Sequence, residues 1–141
     1  MCPETEEAKA SSTYSIAIGC GAAAVSERTI AFGAGSRAQG LRSTAIGNQA
    51  HAIGADTIAF GSTAKTNSDN AIAMGVSAVV GAKSEDSIAI GHMAEVSTAK
   101  NLNVMKAKVA NNSIAIGNSA NVSGPNLSLI HISEPTRRYA I

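Results

Sequence analysis

From Tyr14 to about Asn126, large and small apolar residues alternate in three-residue bursts closed by a glycine, and the burst keeps returning. Ile16-Ala17-Ile18-Gly19 is followed by Ile30-Ala31-Phe32-Gly33, Thr44-Ala45-Ile46-Gly47, Ile58-Ala59-Phe60-Gly61, Ile72-Ala73-Met74-Gly75, Ile88-Ala89-Ile90-Gly91 and Ile114-Ala115-Ile116-Gly117. The closing glycines stand at 19, 33, 47, 61, 75, 91 and 117, so the first four steps are equal. Large-small-large alternation is strand spacing. A fixed period means one small unit stacked on copies of itself.

A second short strand is predicted after each glycine. Three residues on stand Ala22, Ser36, Ala50, Ala64, Ala78, Ala94 and Ala120; five on stand Ala24, Ala38, Ala52, Thr66, Val80, Val96 and Val122. Between those columns the chain accepts anything: Ala23, Arg37, His51, Lys65, Val79, Glu95 and Asn121. That is apolar-in, solvent-out alternation. The glycine marks one turn, where a missing side chain permits positive φ or close backbone approach. The other turn is polar and variable, and it takes up the two extra residues between Gly75 and Gly91.

The expected fold is therefore all-β, a parallel solenoid with two short strands per ~14-residue coil and about seven to eight coils. The expected packing places the Ile, Phe and Met columns inside the coil. The unbroken alanine column from Ala17 to Ala115 then lies outside, small enough for another sheet to approach, and forms a self-associating face. The step from Gly91 to Gly117 is nearly twice the usual one. Either Leu102-Asn103-Val104-Met105 is a degenerate coil, or the region from Ala99 to Ala110 leaves the stack; the two retained large positions slightly favour the coil. Lys100, Lys106 and Lys108 make this the most basic patch of the repeats, which reads as a solvated turn.

Three segments are expected: 1–13, a disordered lead-in with Pro3 and no periodicity; 14–126, the repeats; and 127–141, a non-repeat tail. Within the tail, Ser128 to Arg138 resembles translated sequencing-adapter read-through and is left out of the fold expectation. Composition agrees with thin apolar slices: 45% of residues are hydrophobic but only 3% aromatic, without tryptophan. Eleven basic against ten acidic residues leave a net charge of +1, which implies no broad nucleic-acid-binding field. No basic and apolar leader opens the chain and no run of 18 apolar residues occurs, so either the protein stays inside the cell or it is a piece of a longer exported one, and the repeat favours the piece.

Nothing in the pattern points to catalysis, a cofactor or a metal, and no ligand-binding residue is singled out. Gly19-Cys20-Gly21-Ala22-Ala23-Ala24 formally matches a dinucleotide-binding turn, but that turn needs a following helix and an acidic residue about twenty positions on. Another copy of the strand follows instead, and Gln39 and Gly40 occupy the acidic position. His51, His92 and His131 share no spacing with a carboxylate or cysteine. Whether Cys2 and Cys20 pair is left open. Ser15, Thr29, Ser43, Thr57, Ser87 and Ser113 recur four before each glycine without a neighbouring base, so they read as hydrogen-bonding residues that open the strand rather than nucleophiles. Just ahead of them Arg28, Arg42, Asp56, Asn70, Asp86 and Asn112 predict a polar ladder at a turn edge, either solvated or a strip for weak ligand contacts.

The repeat Asn112-Ser113-Ile114-Ala115-Ile116-Gly117-Asn118-Ser119-Ala120 resembles the head repeats of YadA-like trimeric autotransporter adhesins, and the resemblance covers residues 14–126. It implies a left-handed parallel β-roll, a homotrimer with the first-strand sheets facing the threefold axis, and no enzymatic activity. It also implies binding of extracellular-matrix proteins or cell-surface ligands (collagen-, fibronectin- or laminin-like) by multivalent weak contacts. The parent protein would be displayed outside the outer membrane on a stalk and a C-terminal barrel, with no membrane insertion by these residues. Cys20 departs from the family's usual avoidance of cysteine. A phage or virion tail-fibre segment and an ice-binding solenoid are the alternative readings.

Overall fold

The computed structural model describes residues 6–98 and 110–130. The chain alternates between two parallel sheets. One is built of two-residue strands: β1 (Lys9–Ala10), β3 (Ala23–Ala24), β5 (Arg37–Ala38), β7 (His51–Ala52), β9 (Lys65–Thr66), β11 (Val79–Val80), β13 (Glu95–Val96) and β15 (Asn121–Val122). The other is built of the glycine-closed bursts: β2 (Ile16–Ile18), β4 (Ile30–Phe32), β6 (Thr44–Ile46), β8 (Ile58–Phe60), β10 (Ile72–Met74), β12 (Ile88–Ile90) and β14 (Ile114–Ile116), continued by β16 (Ser128–Ile130). Each sheet has eight strands stacked in chain order. The parallel solenoid of about eight turns is as the periodicity predicted.

Register is strict. Ile16 pairs with Ile30, Ala17 with Ala31 and Ile18 with Phe32, and every later pair keeps the same columns. The turns stack too. Gly33 N–H donates to Ile18 C=O at 2.8 Å and Gln49 N–H to Ala34 C=O at 2.8 Å, so main-chain groups that loops usually leave to water find partners one rung away.

The packing phase is the reverse of the expected one. Ala31, Ala45, Ala59, Ala73, Ala89 and Ala115 are fully buried, and the Ile, Phe and Met columns face outward, with Ile16, Phe32 and Phe60 about half exposed. The interior consists of these alanines, the alanine and valine columns of the short strands, and a column of hydroxyls. The physical reason is coil width. Short turns bring the two sheets closer than the ~10 Å that large interdigitating side chains need. Only Ala, Ser, Thr and Val fit between walls set that near. The self-associating alanine face is thereby excluded, and the outer surface of that sheet is aliphatic instead.

The buried hydroxyls serve the turns. Thr57 Oγ1 donates to Gly54 C=O at 2.8 Å, and Ser113 Oγ donates to Gly124 C=O at 2.7 Å. The serine and threonine column thus does the strand-opening work expected of it. The motif glycines are fixed by contact: at Gly47 (φ +132) a Cβ would lie 2.4 Å from the Gly61 carbonyl oxygen of the next rung.

Two boundaries differ from expectation. The roll begins inside the segment expected to be a lead-in, because Lys9–Ala10 pairs with Ala23–Ala24. Ala8 and Ala10 stand one period before Ala22 and Ala24, so that segment carries the second half of the repeat without the first. At the other end, Ser128–Ile130 pairs with Ile114–Ile116, one rung past the predicted limit at 126. The long step is bridged by direct pairing. Ile88–Ile90 pairs directly with Ile114–Ile116, and Glu95–Val96 directly with Asn121–Val122. Leu102 to Met105 and the three lysines lie outside the described residues. On the enlarged turn of the preceding coil, Ala110 N–H donates to Lys83 C=O at 2.9 Å.

Candidate functional site

A solenoid with a solid interior offers ligands its outer faces, its two turn edges and its ends. The outer face of the motif sheet is a continuous aliphatic surface: Ile16, Ile18, Ile30, Phe32, Ile58, Phe60 and Met74 are each exposed by more than a third. Strand alternation creates this face. With alanine turned inward, both flanking large residues of every rung must turn outward.

The opposite face carries the unrestricted column of the short strands. Arg37 stacks on His51 and His51 on Lys65 in adjacent rungs. The His51 imidazole is held below its ordinary pKa of 6.5, first by partial burial and then by the charges of Arg37 and Lys65. A shallow groove runs beside this column, lined by Gly35, Arg37, Gln49, His51, Thr63 and Lys65.

The predicted polar ladder is real and has a backbone cause that the sequence reading missed. Arg28, Arg42, Asp56, Asn70, Asp86 and Asn112 all adopt left-handed φ of +53 to +58. Asn and Asp tolerate that conformation best among residues with a side chain. The run of Asp and Asn in four of the six positions was the available signal. Arg42 makes a two-pronged ion pair with Asp56 of the next coil, both bonds at 2.5 Å. The Asp56 carboxyl is held below its ordinary pKa of 3.8, chiefly by the hydrogen bond from Arg42. On the opposite turn edge, Gly21, Gln49, Thr63, Ser77, Met93 and Ser119 form a second left-handed column.

The remaining sequence-flagged residues are scattered. Gly19-Cys20-Gly21 forms a turn that leads into β3 and not into a helix. His92 Nδ1 lies 3.4 Å from Asn118 Oδ1 one rung away, and His131 lies outside the described residues. Cys20 is disulfide-bonded, whereas Cys2 lies outside the described residues. Among the described residues no group of three or more His, Cys, Asp or Glu is placed to hold a metal ion. Among them, too, no helix is long and apolar enough to cross a membrane.

Stacked identical rungs, a packed interior and long outer faces define a β-roll of the surface-contact kind, whose working parts are faces rather than a cleft. The YadA head domain repeat matches residues 6–22, 24–50, 52–78 and 110–126, more than half of the chain. The chain belongs to that family, an adhesin β-roll and not an enzyme class. Its fold is similar to the crystal structure of the collagen-binding domain of the Yersinia adhesin YadA, with a TM-score of 0.61 and 31% identity. That likeness covers 91% of this chain and 72% of the other. No curated protein matches the sequence.

Proposed function

We propose that the chain is the ligand-contacting head of a surface-displayed adhesin that works as a homotrimer. Three copies meet through their motif sheets, and the short-strand sheets and turn edges face outward to extracellular-matrix proteins or other cell-surface ligands. The supporting observation is the aliphatic outer face from Ile16 to Met74, too large and too regular to serve as a free surface. The YadA collagen-binding domain makes collagen the first ligand to try. Each rung offers a weak contact, and three chains multiply them into avidity. In this reading the parent protein holds the head outside the outer membrane.

The test joins assembly to binding. In sedimentation the chain is expected as a trimer, and a Phe32→Lys, Phe60→Lys variant as a monomer. On immobilised collagen the variant is expected to bind at least ~100-fold more weakly than the trimer. A wild-type chain that stays monomeric at micromolar concentration, or a monomeric variant with undiminished binding, overturns the reading. An ice-binding role finds no support in the outward short-strand column, where Arg37, His51, Lys65 and Glu95 stand in place of a hydroxyl array.

A further inference from the structure

We propose that the Arg37–His51–Lys65 ladder on the outer face of the short-strand sheet is a binding site for a linear sulfated polysaccharide of the glycosaminoglycan class. The proposal deepens the adhesin reading and rests on it only for where the ligand is met.

Cations in directly opposed positions of neighbouring strands repel one another, so a folded chain tolerates such a stack only against a cost. Here three basic side chains occupy three consecutive rungs, about 4.8 Å apart. Among the described residues neither Arg37 nor Lys65 has a carboxylate partner; the ion pairs there are Arg28–Glu27 and Arg42–Asp56. The charge is therefore uncompensated, and Arg37 and Lys65 add to the partial burial that chiefly holds His51 below its ordinary pKa. Two fixed cations, Arg37 and Lys65, stand two rungs apart with a titratable imidazole between them, an arrangement complementary to a chain with anionic groups along its length. Arg37 supplies a planar fork for an oxyanion and Lys65 a mobile point charge.

The groove beside the ladder favours a sugar over a nucleic acid. Gln49 and Thr63 contribute an amide and a hydroxyl, and Gly35 keeps the floor open. Single-stranded nucleic acids are held largely by base stacking on aromatic rings. Apart from the His51 imidazole neither groove-lining residue set offers one, since Phe32 and Phe60 belong to the other sheet. The overall charge of +1 conceals the ladder, although Glu6 and Glu7 line a groove with Arg37 at its first rung.

The probe is a size-defined, fully sulfated heparin oligosaccharide titrated against the whole chain, with collagen binding measured on the same preparations. Arg37→Gln with Lys65→Gln is expected to weaken oligosaccharide binding about ten-fold or more and to lower the salt slope by about one per cation removed. Arg28→Gln with Lys83→Gln makes the same change in net charge and is expected to leave binding within about two-fold. Wild-type affinity rises from about pH 8 to about pH 5.5 as His51 takes up a proton beside the anion, and His51→Gln removes that rise. The charged groups facing His51 are Arg37 and Lys65 of the adjacent rungs. All three side chains point outward, so the variants keep the interior intact; single substitutions serve if the pair melts low. Equal losses from both double variants, or no loss from the first, overturn the proposal. So does single-stranded DNA of equal length binding as tightly through the same residues. Oligosaccharide binding without any collagen binding upholds the ladder and sinks the matrix-protein reading; collagen binding alone does the converse.

Discussion

Ala59→Leu puts the inward placement of the alanine column to its hardest test. Ala59 is fully buried, as are Ala45 and Ala73 above and below it in the same column. The wall opposite is built of Ala52, Ala64 and Thr66, which are equally inaccessible. Leucine adds three carbons where no neighbour can step aside, because each is locked by the strands of the adjoining rungs. Overpacking of a well-filled core typically costs 1–3 kcal/mol, and a site closed on every side belongs at the top of that range, about 3 kcal/mol. In a domain of this size that lowers the melting temperature by about 10 °C.

Thermal and urea unfolding, each followed at several protein concentrations, separates this effect from assembly. The Ala59→Leu loss is expected at every concentration with an unchanged urea slope, since the damage lies within one roll. Ile58→Ala supplies the contrast. Ile58 is 40% exposed, so its truncation costs the isolated roll only about 1–2 kcal/mol, and any larger loss depends on protein concentration through the partner chains. Were the large residues the core, Ala59→Leu would sit on the surface and cost under about 0.5 kcal/mol, while Ile58→Ala would cost about 2–5 kcal/mol at every concentration. That outcome refutes the packing described here.

Gly47→Ala is expected to cost about 3 kcal/mol in urea unfolding, since φ of +132 strains any side chain and the new Cβ meets the Gly61 carbonyl. Ser36→Ala is expected to raise stability by about 1 kcal/mol, because the buried Ser36 hydroxyl has no hydrogen-bond partner and the same column holds alanine in the adjoining coils. Asp56→Asn tests the ion pair by pH. The Asp56 carboxyl titrates below its ordinary value in the folded chain, so its contribution is fully present above pH 3.8 and is lost as pH falls through the lower folded value. Melting temperature followed downward from pH 5 is expected to fall less steeply in the variant than in the parent, and identical profiles refute the coupling.

The stack itself was legible because a short fixed period leaves few ways to satisfy the backbone. Once Ile30, Ile58 and Ile72 share a column, parallel pairing in register follows. What periodicity cannot supply is the phase of the alternation. Ile-Ala-Ile reads equally well with isoleucine in or out, and the general rule that large apolar residues are buried pointed the wrong way. The hydroxyl column held the answer, since Thr57 lies two residues before Ala59 and so shares its face. A face carrying Ser or Thr beside Ala in every motif coil but the one with Ala71 is a narrow one. The first rung escaped notice because Lys9–Ala10 has only the alanine pair to announce it. The left-handed turn column was masked by Arg28 and Arg42, residues rarely chosen for that conformation. The basic ladder was invisible as charge because only pairing along the solenoid axis brings Arg37, His51 and Lys65 together.

Turning the alanines inward has a consequence for the whole assembly. A roll whose interior holds only small side chains gains little from its own core, since burial scales with apolar area. Its large apolar residues, from Ile16 to Ile116, remain on the outer face of one sheet and leave on the order of 1,000 Å² of apolar surface in water, more than a soluble monomer ordinarily exposes. In the proposed trimer, contacts between chains supply the stabilisation missing from each coil. On that proposal the motif sheet is constrained in both directions, alanine for the interior and Ile or Phe for the neighbour. The outward column of the short-strand sheet is bound by neither demand, which is why it ranges from Ala23 through Arg37 to Glu95 while the motif column varies only among Ile, Phe, Met and Thr. On the proposed reading, recognition changes on that face without disturbing the roll or its partners, and the ladder of Arg37, His51 and Lys65 stands where such freedom exists.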